Sequence, residues 1–311
     1  MRRLLPILTP FLLALALAPA TAAAKPHVAG TFDLSGQPRY ITKGSDGNVW
    51  VTISGSSDNN TLARIKPNGK VKEYSPAAVV NPVGITTGAD GNLWLTRNGG
   101  VIRVPPGDPD SAQDFDIGAI SSPQAITKGP QGKLWTASGD QLVSFDPDDP
   151  NDFDATTIDG MGARGITSSG GKLWIADFGG QRIVRSTPSG DVKKYNVGGG
   201  PQEVGAGPNG GIAYANPGDV PQTVGRIGRS GGPKTTKAVG DPFGMDFTGG
   251  KWWIAMFAKD QVGVLSQDGD FDRIGGLPNG SGPRQLTVGP NHTLWVSLEQ
   301  GEQVARLKDV G

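Results

Sequence analysis

Arg39, Arg164 and Arg284 occupy one and the same place in a phrase that this chain writes seven times, directly after the residue that opens it. Val83, Gln124, Gln202 and Phe243 fill that place in the other four copies. A guanidinium is planar, permanently charged and carries a fork of N–H donors. A set of arginines therefore suits two-point capture of a carboxylate, phosphate or sulfate. It cannot serve as a general base, which needs a pKa near neutrality and hydrogen-bond reach of the proton. The chain has two histidines: His27, expected in an N-terminal tail, and His292, in a turn expected at the opposite end of the molecule from the arginines. With no cysteine, thiolate metal sites and a cysteine nucleophile are excluded. No P-loop, dinucleotide fingerprint or nucleophile elbow occurs. Acidic stretches at 106–116 and 146–154 lack the glycine and terminal glutamate of a calcium-binding EF-hand loop. They read as solvated turns stiffened by proline.

The elements that must position these side chains follow from the repeat. The phrase opens at Pro38, Pro82, Pro123, Ala163, Pro201, Pro242 and Pro283, at spacings of 38 to 44 residues. A tryptophan comes 11 or 12 residues after the opening in six copies: Trp50, Trp94, Trp135, Trp174, Trp253 and Trp295. The fifth copy has Ala213 and Tyr214 there. A period near 40 residues with short strands and turn pairs is that of propeller blades. The second copy reads "VGITTG", "LWLTR", "GVIRVP" and "DFDIGA" as four strands, with "ADGN" as a turn. The Asp-Gly and Asn-Gly pairs at 46–47, 68–69, 90–91 and 209–210 supply the positive φ that tight hairpins need. The recurring ring is expected to fill the wedge between neighbouring blades, and the fifth blade to be the least well packed.

The seventh copy ends after three strands, and "GTFDLSGQ" (30–37) has the character of the missing fourth. The fold class is therefore all-β: a seven-bladed β-propeller of four antiparallel strands per blade, with the N-terminal strand closing the last blade. Closure removes exposed sheet edges. Residues 1–24, with Arg2 and Arg3, a leucine-rich run and an Ala-x-Ala ending, read as a secretory signal peptide. Residues 25–311 form one domain, exported to the periplasm or the medium. Its 27 basic and 29 acidic residues give neither a nucleic-acid footprint nor a polybasic membrane patch.

The phrase P-x-G-I-T-x-G-x-D-G-N-L-W-x-T at this period resembles the streptogramin (virginiamycin B) lyase family over essentially the whole chain after residue 24. The resemblance implies elimination at the ester of a cyclic depsipeptide, with Mg²⁺, a histidine base and carboxylates at the mouth of the ring. It places the family's histidines directly after the proline opening two late blades, where this chain has Phe243 and Arg284. Glu299, four residues past Trp295, matches the family's metal-site carboxylate. No catalytic residue is assigned, and Mg²⁺ or Ca²⁺ is implied by the resemblance alone.

If the changed positions line the same mouth, Arg39, Gln124, Arg164, Gln202 and Arg284 converge there as ligand-binding residues, with Arg284 and Arg39 on adjacent blades. One reading is a monomeric binding module for a small anionic or sugar-acid ligand, or for a protein on the propeller face. Another is that each arginine pairs with an acid such as Glu299, Asp177 or Glu203 and holds blades in register. The alternative is an enzyme of altered chemistry: a Mg-dependent lyase, or a metal-dependent lactonase using Glu299, Asp177 and Asn216 at second-strand ends. Loops 54–60 and 216–225 lengthen the same side.

Overall fold

The computed structural model describes residues 24–311 except 57, 58, 60, 119 and 239; the signal-peptide reading thus lies almost wholly outside the described residues. Seven four-stranded antiparallel sheets are formed, one per copy of the phrase. Six are consecutive in sequence; in the seventh, strand His27–Asp33 pairs with Gln303–Lys308 beside Leu294–Leu298 and Pro283–Val288. The closing strand thus begins three residues earlier than its sequence suggested, and Leu34 already turns away with its N–H on the Glu302 carbonyl at 2.9 Å. His27 consequently belongs to a strand, opposite Lys308 and 3.2 Å from Asp309 Oδ2, and not to a loose tail. The second acidic stretch is also corrected: only a tight turn separates Gln141–Asp146 from strand Asp149–Thr157, an outermost strand whose exposed aspartates face solvent. Charges on an outer strand oppose edge-to-edge pairing.

The repeated letters have physical duties. Asp46 and Asp90 open the Asp-Gly turns, with Gly47 at φ 73° and Gly91 at φ 79°. Each aspartate accepts the N–H of the asparagine two residues on, at 3.1 Å. Each also accepts the indole N–H of the tryptophan four residues on, at 3.1 and 3.2 Å. One side chain therefore fixes the hairpin and satisfies the polar edge of a buried ring. In the seventh blade Thr293 Oγ1 takes the Trp295 indole N–H at 2.8 Å.

Each ring packs toward the following blade: Trp50 against Ile85, Leu93 and Leu95, and Trp295 against Ile41 and Val49. On the third strand an arginine lies over the same ring, with Arg64, Arg103, Arg185 and Arg306 at 5.5–5.8 Å from the indole centroids of Trp50, Trp94, Trp174 and Trp295. Arg103 and Arg185 also donate to Pro147 and Arg229 carbonyls in the next blade, and Arg306 to that of Pro67.

The fifth blade is not loosely packed. Trp252, from the sixth blade, sits with Ala213, Ala215 and Val224 in one cluster and is 4% exposed. Its indole N–H reaches the Ala206 carbonyl at 3.0 Å. The sixth blade writes Trp-Trp where the others write Leu-Trp, Val-Trp or Ile-Ala. The interface thus receives its ring from the opposite side.

Candidate functional site

The position after the opening residue lies where the first strand of a blade leaves regular pairing. Pairing shifts between Pro38 and Ile41, Ala163 and Ile166, Pro242 and Met245, and Pro283 and Leu286. A bulge re-aims the residues it carries, here two in each of these four blades. Hydroxyls on the second strands hold these bulges. Tyr40 N–H donates to Thr52 Oγ1 at 3.1 Å, Gly84 N–H to Thr96 Oγ1 at 2.8 Å and Gln285 N–H to Ser297 Oγ at 2.9 Å. Thr52 donates on to the Val83 carbonyl at 2.8 Å and Ser297 to the Arg39 carbonyl at 3.0 Å, so the same hydroxyls tie one blade to the next.

Arg39 and Arg284 meet on one carboxylate. Arg39 Nη1 lies 3.0 Å from Glu299 Oε1, and Arg284 Nη1 lies 3.6 Å from Oε2. The Arg284 guanidinium also stacks 4.2 Å over the Phe243 ring, which touches Phe257 edge-on. Arg164 is exposed, lies 5.3 Å over Phe178, and forms no ion pair among the described residues. The charges of Arg284, Arg39 and Arg164 all act on the Tyr40 phenol. The glutamines do not join this cluster by a described hydrogen bond: Gln124 Nε2 donates to the Ser122 carbonyl at 3.2 Å, and half-buried Gln202 is held through its N–H on the Ala215 carbonyl at 2.9 Å.

Beneath the arginines lies a layer that the sequence reading did not assign. The second bulge position is Gly84, Ala125, Gly165 and Gly244 in four blades, but Tyr40, Glu203 and Gln285 in three. Gln285 Nε2 donates to Glu203 Oε2 at 2.7 Å, from the seventh blade to the fifth. The side chain crosses the sixth blade because Gly244 leaves the way open; a β-carbon there would sit 1.8 Å from Gln285 Oε1. Gly165 makes the same room for Glu203 Oε1, 2.3 Å from where its β-carbon would lie. Burial pushes the Glu203 carboxyl up to about 7, against hydrogen bonds from Gln285 and the Val204 N–H and the charge of Arg284. Burial first, then the charge of Glu203, raises the Tyr40 phenol as well. The signal for this layer was the loss of the small residue from the phrase in three copies.

The donor set does not fit a divalent metal. Glu299 is the carboxylate that the family resemblance points to, and it sits between two guanidiniums, where a cation would meet positive charge on both sides. Asp177 is fully buried and engaged by the Gly162 N–H at 2.7 Å, the Gly180 N–H at 2.8 Å and Arg182 Nε at 2.6 Å. Asn216, also fully buried, accepts from Gly200 N–H at 2.8 Å and donates to the Gly198 carbonyl at 3.0 Å. Both clamp their own loops. Among the described residues no three His, Asp or Glu converge. His292 stands in the turn Pro290–His292, at the other end of strand Pro283–Val288 from Arg284. Beside Arg39 a cleft of about 550 Å³ opens between the first and second blades, lined also by Ser54, Asn59, Thr61, Val79 and Val83.

The model of the virginiamycin B lyase family matches residues 28–149, the closing strand and the first blades. A streptogramin B lyase structure superposes with TM-score 0.78 at 20% identity, over 91% of this chain and 97% of that one. The virginiamycin B lyase of Staphylococcus aureus gives TM-score 0.78 at 21% identity, over 91% and 99%. An extracellular domain from B. thetaiotaomicron, described as part of a hybrid two-component system, gives TM-score 0.70 at 13% identity, over 89% of this chain and 40% of that one. The comparison with curated proteins returned no match. No helix among the described residues is long and apolar enough to cross a membrane. Repeat phrase, blade count and superposition together make the chain a virginiamycin B lyase-like seven-bladed β-propeller.

Proposed function

We propose that this protein is an exported, monomeric binding propeller that captures a small anionic ligand at the mouth of its ring, on Arg39, Arg164 and Arg284, without lyase turnover. The supporting observation is the imbalance of charge there. Arg39 and Arg284 share Glu299 as their one ion-paired carboxylate, and Arg164 has no ion pair among the described residues. Burial pushes the nearby Glu203 carboxyl up to about 7, so that it is only partly ionised at neutral pH. The mouth therefore retains positive charge for an incoming anion. Glu299 holds Arg39 and Arg284 in place before the ligand arrives, which lowers the ordering cost of binding. The cleft beside Arg39 gives room for the rest of the ligand.

A purely structural role for these arginines makes a different prediction. Melting the protein with glucuronate, and separately with sulfate, is expected to raise Tm for at least one anion. Saturation at about a hundred times Kd stabilises by about 2.7 kcal/mol, several degrees for a domain of this size. The variant Arg39→Gln/Arg284→Gln/Glu299→Gln, which removes the ion-paired cluster as a whole, should melt with no anion-dependent rise. No rise for wild type with either anion, or an equal rise in the variant, overturns the reading.

A further inference from the structure

We propose that the layer beneath the arginines, built from Glu203, Gln285 and Tyr40, reads the hydroxyl groups of the captured anion, so that the mouth takes a sugar acid or other polyhydroxy carboxylate in preference to a plain anion. This rests on the anion-capture reading and adds the identity of the ligand class.

The layer is built rather than incidental. Three of seven blades replace a small residue at one equivalent position with a hydrogen-bonding side chain. Two others keep glycines whose β-carbons would collide with those side chains. Gln285 and Glu203 join at 2.7 Å and offer one carboxylate and one amide side by side. Such planar groups can donate to and accept from neighbouring hydroxyls. Tyr40 adds a phenol, and Gln285 and Tyr40 are only half-buried.

The groups facing Glu203 set its chemistry. Gln285 and the Val204 N–H donate to it and Arg284 attracts its charge, while that charge in turn acts on the Tyr40 phenol, as do those of Arg284, Arg39 and Arg164. With its carboxyl at about 7, Glu203 can donate to a hydroxyl or accept from one near neutral pH. A ligand carboxylate placed against it would be repelled once it ionises. The ligand is thereby oriented with its carboxylate on the arginines and its hydroxyls inward. An anion without hydroxyls would leave Glu203 and Gln285 facing an apolar surface, and unpaired buried polar groups are costly.

Titration calorimetry on the full mature protein with glucuronate, glucose and cyclohexanecarboxylate tests this. The expected result is glucuronate bound at least about tenfold more tightly than cyclohexanecarboxylate, the effect of one hydrogen bond lost to a buried polar group. Glu203→Gln and Gly244→Ala, the latter dislodging Gln285, should abolish that advantage and leave cyclohexanecarboxylate binding within about twofold. Equal binding of the two carboxylates by wild type, or an advantage surviving in both variants, overturns the inference while anion capture stands. Glucose binding as tightly as glucuronate overturns anion capture itself, as does binding of neither carboxylate. Should Glu203→Gln fail to fold, the wild-type comparison and Gly244→Ala decide alone.

Discussion

Between pH 4.5 and 7 the wild-type protein is expected to become less stable as pH rises, by about 3 kcal/mol from Glu203 alone, and Glu203→Gln is expected to lose that slope. The Glu203 carboxyl moves from an ordinary 4.5 to about 7 on folding. Within that window the folded protein holds a proton that the unfolded chain has released. Stability therefore is fully present below the unfolded value, falls as pH rises through the folded one, and is flat beyond. Asp246 is also raised by burial and contributes a slope of the same sign. The informative quantity is thus the difference between wild type and variant in urea midpoints at stepped pH. A wild-type slope retained in Glu203→Gln would place the titrating group elsewhere.

Trp252→Ala is expected to cost about 3–5 kcal/mol, the usual penalty for truncating a buried aromatic ring. Trp252 fills the junction that Ala213 leaves empty, so the loss is a cavity between two blades, beside the Phe247 ring that packs edge-on against it at 5.0 Å. The two positions should couple. Ala213→Trp alone overpacks a full interface, at about 1–3 kcal/mol. In the double variant Trp252→Leu/Ala213→Trp the ring returns to the side used by the other blades. That variant should be more stable than the sum of its single changes implies. Additive effects in denaturant unfolding would contradict the account of how this junction is filled.

The fold was legible because the phrase states it. Each letter of Asp-Gly-Asn-x-Trp has a local duty, and the register of the copies fixes the blade count. The closing strand was legible from what the seventh copy lacks, although its limits moved toward His27. What escaped was whatever depends on contact between distant copies. Trp252 was visible as a doubled tryptophan, but its meaning required knowing that it faces Ala213 of the blade before. Arg39 and Arg284 were expected on adjacent blades and do share Glu299. The Gln285–Glu203 bond spans 82 residues of sequence and an intervening blade. Only the departures from small residues at the second bulge position marked it. Asp177 and Asn216, read as possible metal donors from their place at strand ends, hold loop backbone instead, a role that sequence position does not distinguish.

The account's central claim is that this mouth, with Phe243 and Arg284 where the family resemblance implies histidine, serves anion capture and not base chemistry. Quinupristin, found with a catalytically inactive histidine-to-alanine variant of the S. aureus lyase, is the direct probe. The protein would be incubated with it in Mg²⁺ and separately in EDTA, and the products followed by liquid chromatography with mass spectrometry. The account predicts intact quinupristin, at unchanged retention, in both tubes. A linearised isomer of the same mass, formed only with Mg²⁺, would contradict it.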